Sequence, residues 1–322
     1  MMHNKPNFPY YPETDEYRSN ELSKFLTFDT WGLDTLYQKS IDDISLEFTS
    51  KSYKHGINFL WSFFNDFWAK TKTDHRKTPY EFYQDTELLN LELTKSNLKL
   101  NNMTADAFRN FLKRPKFVNT INNFRPLTAY AIYENLLDDF NSVVYDPCHG
   151  FGGRLLGAIK SEKVGTYIGI DADKQISLGL SNCLDYIKAN DSLLNTNVNL
   201  SNNLAESFIL PENSVDLVFT SPPYFDKEKY SLDENQSYIK YKTKEDWLKN
   251  FLTKLLDNAF YCLKPQGLCC INIANIDTFK DLEISLINQA LSVGFKLKEI
   301  HKILLTPRYG SAKFEPLYVF KK

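Results

Sequence analysis

The sequence predicts an α/β protein: a mainly parallel, seven-stranded sheet with a mostly helical region ahead of it. Three observations carry this expectation. From about Phe124 onward, short β-branched runs alternate with helical stretches, the pattern of a parallel sheet covered on both faces. The last two apolar runs, FKLKEIHKILL and EPLYVFKK, have no helix between them and so predict an antiparallel hairpin. Residues 1 to about 120 lack the alternation altogether.

Taken in order, GINFLWSFFNDFWAK spaces Phe59, Phe63, Phe64 and Phe67 as an amphipathic helix does. TADAFRNFLKRPKF predicts a second helix, capped by Thr104 and stopped before Pro115. The first strand is SVVYD (142–146), which runs into a glycine-rich turn and the helix RLLGAIKS. TYIGID (166–171) is the second strand and is followed by the helix KQISLGLSNCLDYIKAN. NVNLS (197–201) and SVDLVFT (214–220) are the third and fourth, and KEDWLKNFLTKLLDNAFYCL is a long helix. KPQG turns the chain into the fifth strand, LCCINIA (268–274), and DLEISLINQALSVG is a helix closed by Gly294. The division is therefore a helical N-terminal domain over 1–120 and a sheet-bearing domain over 121–322.

Composition narrows the class. The 322 residues suffice for one large domain or one domain with a smaller companion. A net charge of −2 gives no global basic signature of nucleic-acid binding, though a local basic face remains open. The five cysteines are odd in number and form no C-x-x-C pair, so neither a disulfide framework nor a zinc site is expected. With no apolar leader and no membrane-length apolar run, the expected location is cytoplasmic.

Two motifs carry chemistry. The first strand ends YDPCHGFGGRLLGA, with Gly150, Gly152 and Gly153 between strand and helix. Glycines there let the backbone turn sharply and approach a ligand closely. Asp171 ends the second strand about twenty residues on, where an acid suits the two hydroxyls of a ribose. The spacing is not G-x-G-x-x-G, so a single nucleoside fits better than a dinucleotide. The fourth strand ends TSPPYF. Two prolines stop the strand, stiffen the turn and hold an aromatic ring at its tip.

DPCHGFGGR resembles the cofactor turn of S-adenosylmethionine-dependent methyltransferases. TSPPY resembles the catalytic motif of those that methylate an exocyclic amino group of a DNA base, N4 of cytosine or N6 of adenine. The resemblance covers roughly 124–322 and implies a Rossmann-like class I methyltransferase fold. It implies S-adenosyl-L-methionine as cofactor, no metal, and duplex DNA with a flipped target base as partner. Asp146, Pro147, Gly150, Phe151, Gly152, Gly153, Asp171 and Ala172 are then cofactor-site candidates. Arg125, before the first strand, is a candidate for the cofactor carboxylate; Asn202, Asn203 or Ala205 would border the adenine, Asn203 being the one carried forward.

Ser221, Pro222, Pro223 and Tyr224 are the catalytic candidates. An exocyclic amino nitrogen is a weak nucleophile because its lone pair is delocalised into the ring. The Ser221 hydroxyl and the Pro222 carbonyl are acceptors that would draw the lone pair out of conjugation, with Tyr224 as a stacking surface. In the family the serine form is typical of N4-cytosine enzymes, which favours cytosine over adenine. RNA as substrate, and a non-catalytic nucleic-acid-binding protein, are the alternatives.

Host modification, restriction partnership and phage protection all fit. The family's usual separate recognition region has no room between the two motifs. Recognition is therefore expected from the N-terminal half, whose basic clusters are KTKTDHRK (70–77) and RNFLKRPKF (109–117), and from the loop over 225–245, rich in lysine and tyrosine. That loop reads equally as a solvated surface segment. Arg308 and Lys313 are further phosphate-contact candidates.

Overall fold

Each β-branched run that alternation picks out becomes a strand. The protein is described by a computed structural model over residues 5–28, 37–38, 55–190, 194–306 and 313–322. The N-terminal part contributes α1 (Asp15–Leu26), the two-residue strand β1 (Tyr37–Gln38), α2 (Ile57–Trp61), α3 (Asn65–Lys70), α4 (Pro79–Gln84), α5 (Thr86–Lys95) and α6 (Ala105–Leu112). There follow α7 (Pro126–Leu136), β2 (Ser142–Asp146), α8 (Gly153–Lys160), β3 (Val164–Asp171), α9 (Lys174–Asn190), β4 (Asn197–Asn202) and β5 (Val215–Thr220). The last part holds α10 (Ser237–Lys240), α11 (Lys244–Trp247), α12 (Thr253–Cys262), β6 (Leu263–Asn272), α13 (Leu282–Val293), β7 (Lys296–Thr306) and β8 (Lys313–Lys321).

The sheet order is β1-β7-β8-β6-β5-β2-β3-β4. β2 pairs in parallel with β3 and with β5, and β5 with β6. β8 lies antiparallel between β6 and β7. This is the Rossmann-like arrangement of seven strands, with β1 added on the outside of β7 through Tyr37 opposite Ile303. The sheet thus has eight strands rather than the predicted seven. Two residues are too few to leave a periodic signal, and β1 is defined by its partner rather than by its own pattern. Chain order reverses between β2 and β5, so the crevice beyond their carboxyl ends is the topological switch point where ligands bind in open α/β sheets.

Three local expectations are corrected: KPQG is an irregular stretch inside β6, with Gln266 left-handed at φ 70°, rather than a turn ahead of the strand, and two helices differ. Phe59 to Phe67 do not lie on one helix but on α2 and α3, because the Ser62 hydroxyl donates back to the Phe59 carbonyl at 2.7 Å and tight turns follow at Phe63 and Phe64. The long helix predicted after the fourth strand runs through a π-helical turn at Leu248–Leu252 between α11 and α12. Other signals act as read: Thr104 accepts from the Ala107 backbone, and Gly294 closes α13 in the left-handed region at φ 116°.

One apolar core fills each face of the sheet. On one side α12 and α13 pack through Leu255, Leu256, Leu282 and Leu286. On the other, Phe59, Leu60, Trp61 and Phe64 of the N-terminal half join Leu155, Leu156, Leu180 and Leu217 in a single cluster. Each fully buried side chain of this size contributes about 1.5–3 kcal/mol. A Cβ on Gly179 of α9 would stand 2.4 Å from the Phe64 ring, so the N-terminal helices lie directly on the helical layer of the sheet.

Candidate active site

Three strand ends build the site. At the end of β2, Asp146 is fully buried. It accepts from Arg154 Nε at 2.7 Å, from Arg154 Nη2 at 3.2 Å, from the Tyr167 hydroxyl at 2.7 Å and from the Cys148 backbone at 3.3 Å. Arg154 also donates to the Cys148 carbonyl, so the turn is fastened to the first turn of α8. Burial opposes the Arg154 charge, and the Asp146 carboxylate outweighs it, leaving the guanidinium's pKa raised.

The glycines do different jobs. Gly152 is left-handed at φ 82° and starts α8. A Cβ on Gly153 would stand 1.8 Å from the Phe124 carbonyl oxygen, so this residue is small because the chain before α7 crosses over it. A Cβ on Gly150, at φ 55°, would meet nothing within 4 Å, so the space beside that turn is open. At the end of β3, Asp171 accepts from Gly150 N at 3.0 Å and from Asp173 N at 2.9 Å. Burial pushes its carboxyl upward.

At the end of β5, the Ser221–Tyr224 turn is closed by Phe225 in the left-handed region (φ 57°), whose N–H donates to the Pro223 carbonyl at 3.0 Å. Tyr224 N–H donates to Glu228 Oε2 at 2.6 Å. The Tyr224 side chain is 4% exposed, and Lys227 Nζ lies 5.0 Å from its ring centroid. The Pro222 carbonyl takes no donor from the described residues.

These turns open on one cleft of about 1120 Å³. Ser221, Pro222, Pro223, Tyr224, Pro147, Gly150, Phe151, Asp171, Ala172 and Arg125 all line it. Asp146, Gly152, Gly153 and Asn203 stand behind the wall. Asp146 is the buried anchor just described. Asn203 donates to the Asp171 carbonyl and to Ser201, while Ala205, the alternative at that position, does reach the cleft. Phe151 also packs outward, with Trp61, Phe64 and Phe67 of the N-terminal helices at centroid distances of 5.1, 5.2 and 5.4 Å.

The loop after the Ser221–Tyr224 turn crosses the cleft. Tyr230 packs 5.5 Å from Phe151, Ser231 donates to Asp173, and Gln236 Nε2 donates to the same carboxylate at 3.1 Å. Three further side chains of this cleft were not among the sequence candidates. His149 is 1% exposed and its Nε2 has no hydrogen-bond partner among the described residues. Glu228 reaches back to the turn, and Glu315 arrives from β8. Only the short step from Tyr224 to Glu228 was visible in the sequence.

The two basic clusters differ. Lys70, Lys72, Arg76 and Lys77 pair with Asp66, Glu81, Asp74 and Asp85 at 2.8, 2.9, 2.6 and 3.2 Å. In the second cluster Arg109 is buried and bound to Asp106 and the Pro9 and Tyr10 carbonyls, whereas Arg114 and Lys116 are exposed. Arg308 lies outside the described residues, as does the side chain of Lys313. Among the described residues no His, Cys, Asp or Glu cluster could hold a metal, and no helix is long and apolar enough to cross a membrane.

Residues 215–321, from β5 to β8, match the family model for N6/N4 methylases, described as DNA methylase. The Type II methyltransferase M.MjaVI of Methanocaldococcus jannaschii is 38% identical over 92 residues, 27% of this chain and 43% of that protein. The chain thus spans less than half the length of this curated relative. Among solved structures, a methyltransferase from Pyrococcus furiosus is 18% identical at a TM-score of 0.40, over 61% of this chain and 82% of that one. TrmN from Thermus thermophilus is 18% identical at a TM-score of 0.42, over 62% and 49%. Over residues 215–321 the chain is therefore similar to DNA methylases of the N6/N4 kind.

Proposed function

We propose that this protein transfers a methyl group from S-adenosylmethionine to an exocyclic amino group of a DNA base, N4 of cytosine ahead of N6 of adenine. The observation that carries the reading is the meeting of the glycine turn, Asp171 and the Ser221–Tyr224 turn in one cleft. The residues fit the donor. Gly150 leaves open space, and Asp171 spends one hydrogen bond on each oxygen and keeps lone pairs for ribose hydroxyls. His149 Nε2 is a buried polar atom still needing a partner.

When bound, S-adenosylmethionine supplies a methyl group activated by its sulfonium. Asp171 holds the ribose, and Arg125 faces the cofactor carboxylate. The Ser221 hydroxyl and Pro222 carbonyl accept from the two amino hydrogens of the base, freeing the nitrogen lone pair. The prolines keep these acceptors fixed, so little reorganisation is left for the transition state. Tyr224 is the stacking surface, which Lys227 uncovers when a base enters. The serine at the head of the motif favours cytosine.

Nucleosides from cells expressing the chain, analysed by mass spectrometry, test this directly: N4-methylcytosine in DNA is expected, and N6-methyladenine or a methylated RNA base would reassign the substrate. Cofactor binding with no transfer to DNA or RNA would leave only a binding protein.

Residues 1–120 serve as the grip on the nucleic acid, and Arg114 and Lys116 are its phosphate contacts, because the 70–77 cluster is neutralised by its own acids. Replacing Arg114 and Lys116 by alanine should lower the slope of log K against log salt by about 2, roughly one for each phosphate contact. Arg76→Ala should leave it unchanged. The reverse order would move the grip to the first cluster.

A further inference from the structure

We propose that Glu228 is the proton acceptor of the transfer, taking the proton that the base's amino nitrogen sheds as it is methylated. The inference rests on the amino-methyltransferase reading and adds a residue to it. One Glu228 oxygen is anchored on the Ser221–Tyr224 turn itself, 2.6 Å from Tyr224 N, and Glu228 lines the same cleft as Ser221. No lysine or arginine lies within salt-bridge distance of it among the described residues, so its charge is held by the Tyr224 backbone N–H instead. Such an arrangement keeps a carboxylate in place without quenching it as a base.

The groups facing Glu228 are Lys227 beside it, Glu315 from β8, and the Tyr224 and Tyr230 hydroxyls. Burial raises the carboxyl to about 7, the Tyr224 N–H and Lys227 pull it back, and Glu315 adds to the rise. A carboxylate tuned to neutrality is matched to accepting and releasing a proton at working pH.

The balance is simple. The nitrogen–carbon bond forms while the carbon–sulfur bond breaks, leaving its electron pair on sulfur. The nitrogen–hydrogen bond then breaks, leaving its pair on nitrogen, and the proton passes to Glu228 and on to solvent. Transfer therefore requires Glu228 ionised and should fall away as pH drops through about 7.

Glu228→Gln keeps an oxygen for the Tyr224 N–H and removes the proton acceptor. Single-turnover methyl transfer to DNA by the wild type should show an acidic limb near pH 7. In E228Q that limb should vanish and the plateau rate fall on the order of 10²-fold. Affinity for S-adenosylhomocysteine should stay within a factor of about 2, since the carboxylate is anchored on the catalytic turn. Glu315→Gln removes a neighbouring negative charge, so the limb should shift to lower pH without disappearing.

A readout independent of activity is carbon NMR of glutamate-labelled protein. One carboxyl should titrate near 7 and be missing in E228Q. Wild-type transfer with a superimposable E228Q profile, or no such titration, overturns this proposal alone. No transfer by the wild type to DNA or RNA overturns the functional reading and this proposal with it.

Discussion

The glycine turn after β2 and the Ser221–Tyr224 turn after β5 end neighbouring parallel strands, yet they are fixed by different means. The glycine turn is tied from beneath: Asp146, Arg154 and Tyr167 form a buried, hydrogen-bonded network, and Gly150 is fastened to Asp171 across β3. The other turn takes its stiffness from two adjacent prolines and touches its surroundings through a loop, by way of Glu228 and Lys227. That loop is itself held at Asp173 by Ser231 and Gln236. The first turn is thus held by a buried polar network, and the second by its prolines and by the apolar packing of Tyr224 and Phe225. Damage to the first should appear as lost stability, and damage to the second as lost turnover.

The largest expected effect comes from Arg154→Ala. It leaves the Asp146 carboxylate charged and unpaired in the core, which costs about 3–5 kcal/mol. Chemical denaturation should show the loss, and an unchanged midpoint would mean that the network is not what holds the glycine turn.

The next test crosses the two turns. Asp171→Ala should weaken cofactor binding by about 1–3 kcal/mol, as for a lost charged hydrogen-bond partner. Tyr224→Ala should lower turnover by about 1–3 kcal/mol, the range for one base stacked on an aromatic ring, with cofactor affinity near normal. Calorimetry beside a methyl-transfer assay reads both, and equal loss of affinity in the two variants would erase the division of labour.

The smallest effect is Lys227→Ala. An exposed cation over a ring contributes about 0.5–1 kcal/mol. Its removal should modestly strengthen binding of a single-stranded oligonucleotide by uncovering Tyr224. Weaker binding would instead make Lys227 a substrate contact.

What the sequence revealed follows from the range of the interactions. Gly152 and the two prolines are demanded by local backbone geometry, so they are readable one at a time, whereas Gly153 is small because the distant Phe124 carbonyl lies against it. The strands and α7 to α9 are readable because burial on both sheet faces imposes a periodic pattern over many residues. Glu228 and Glu315 escaped notice as a pair because they meet only when β8 is inserted beside β6. Asp146 looks like a ligand-binding acid in the motif, and only the fold reveals that Arg154, eight residues later, occupies it. Likewise the basic texture of residues 70–77 conceals that acids nearby in space neutralise it.

Phe151 gives the two halves of the chain a common fate. Its ring is the point at which the helices before residue 70 and the loop after residue 225 touch the same bend of backbone. A fragment beginning near residue 121 would bare Phe151 and Leu180 to water and leave the bend without its outer support. The sheet-bearing portion is therefore an object to be purified with the helices that precede it, and a displacement of those helices would be felt at the glycine turn.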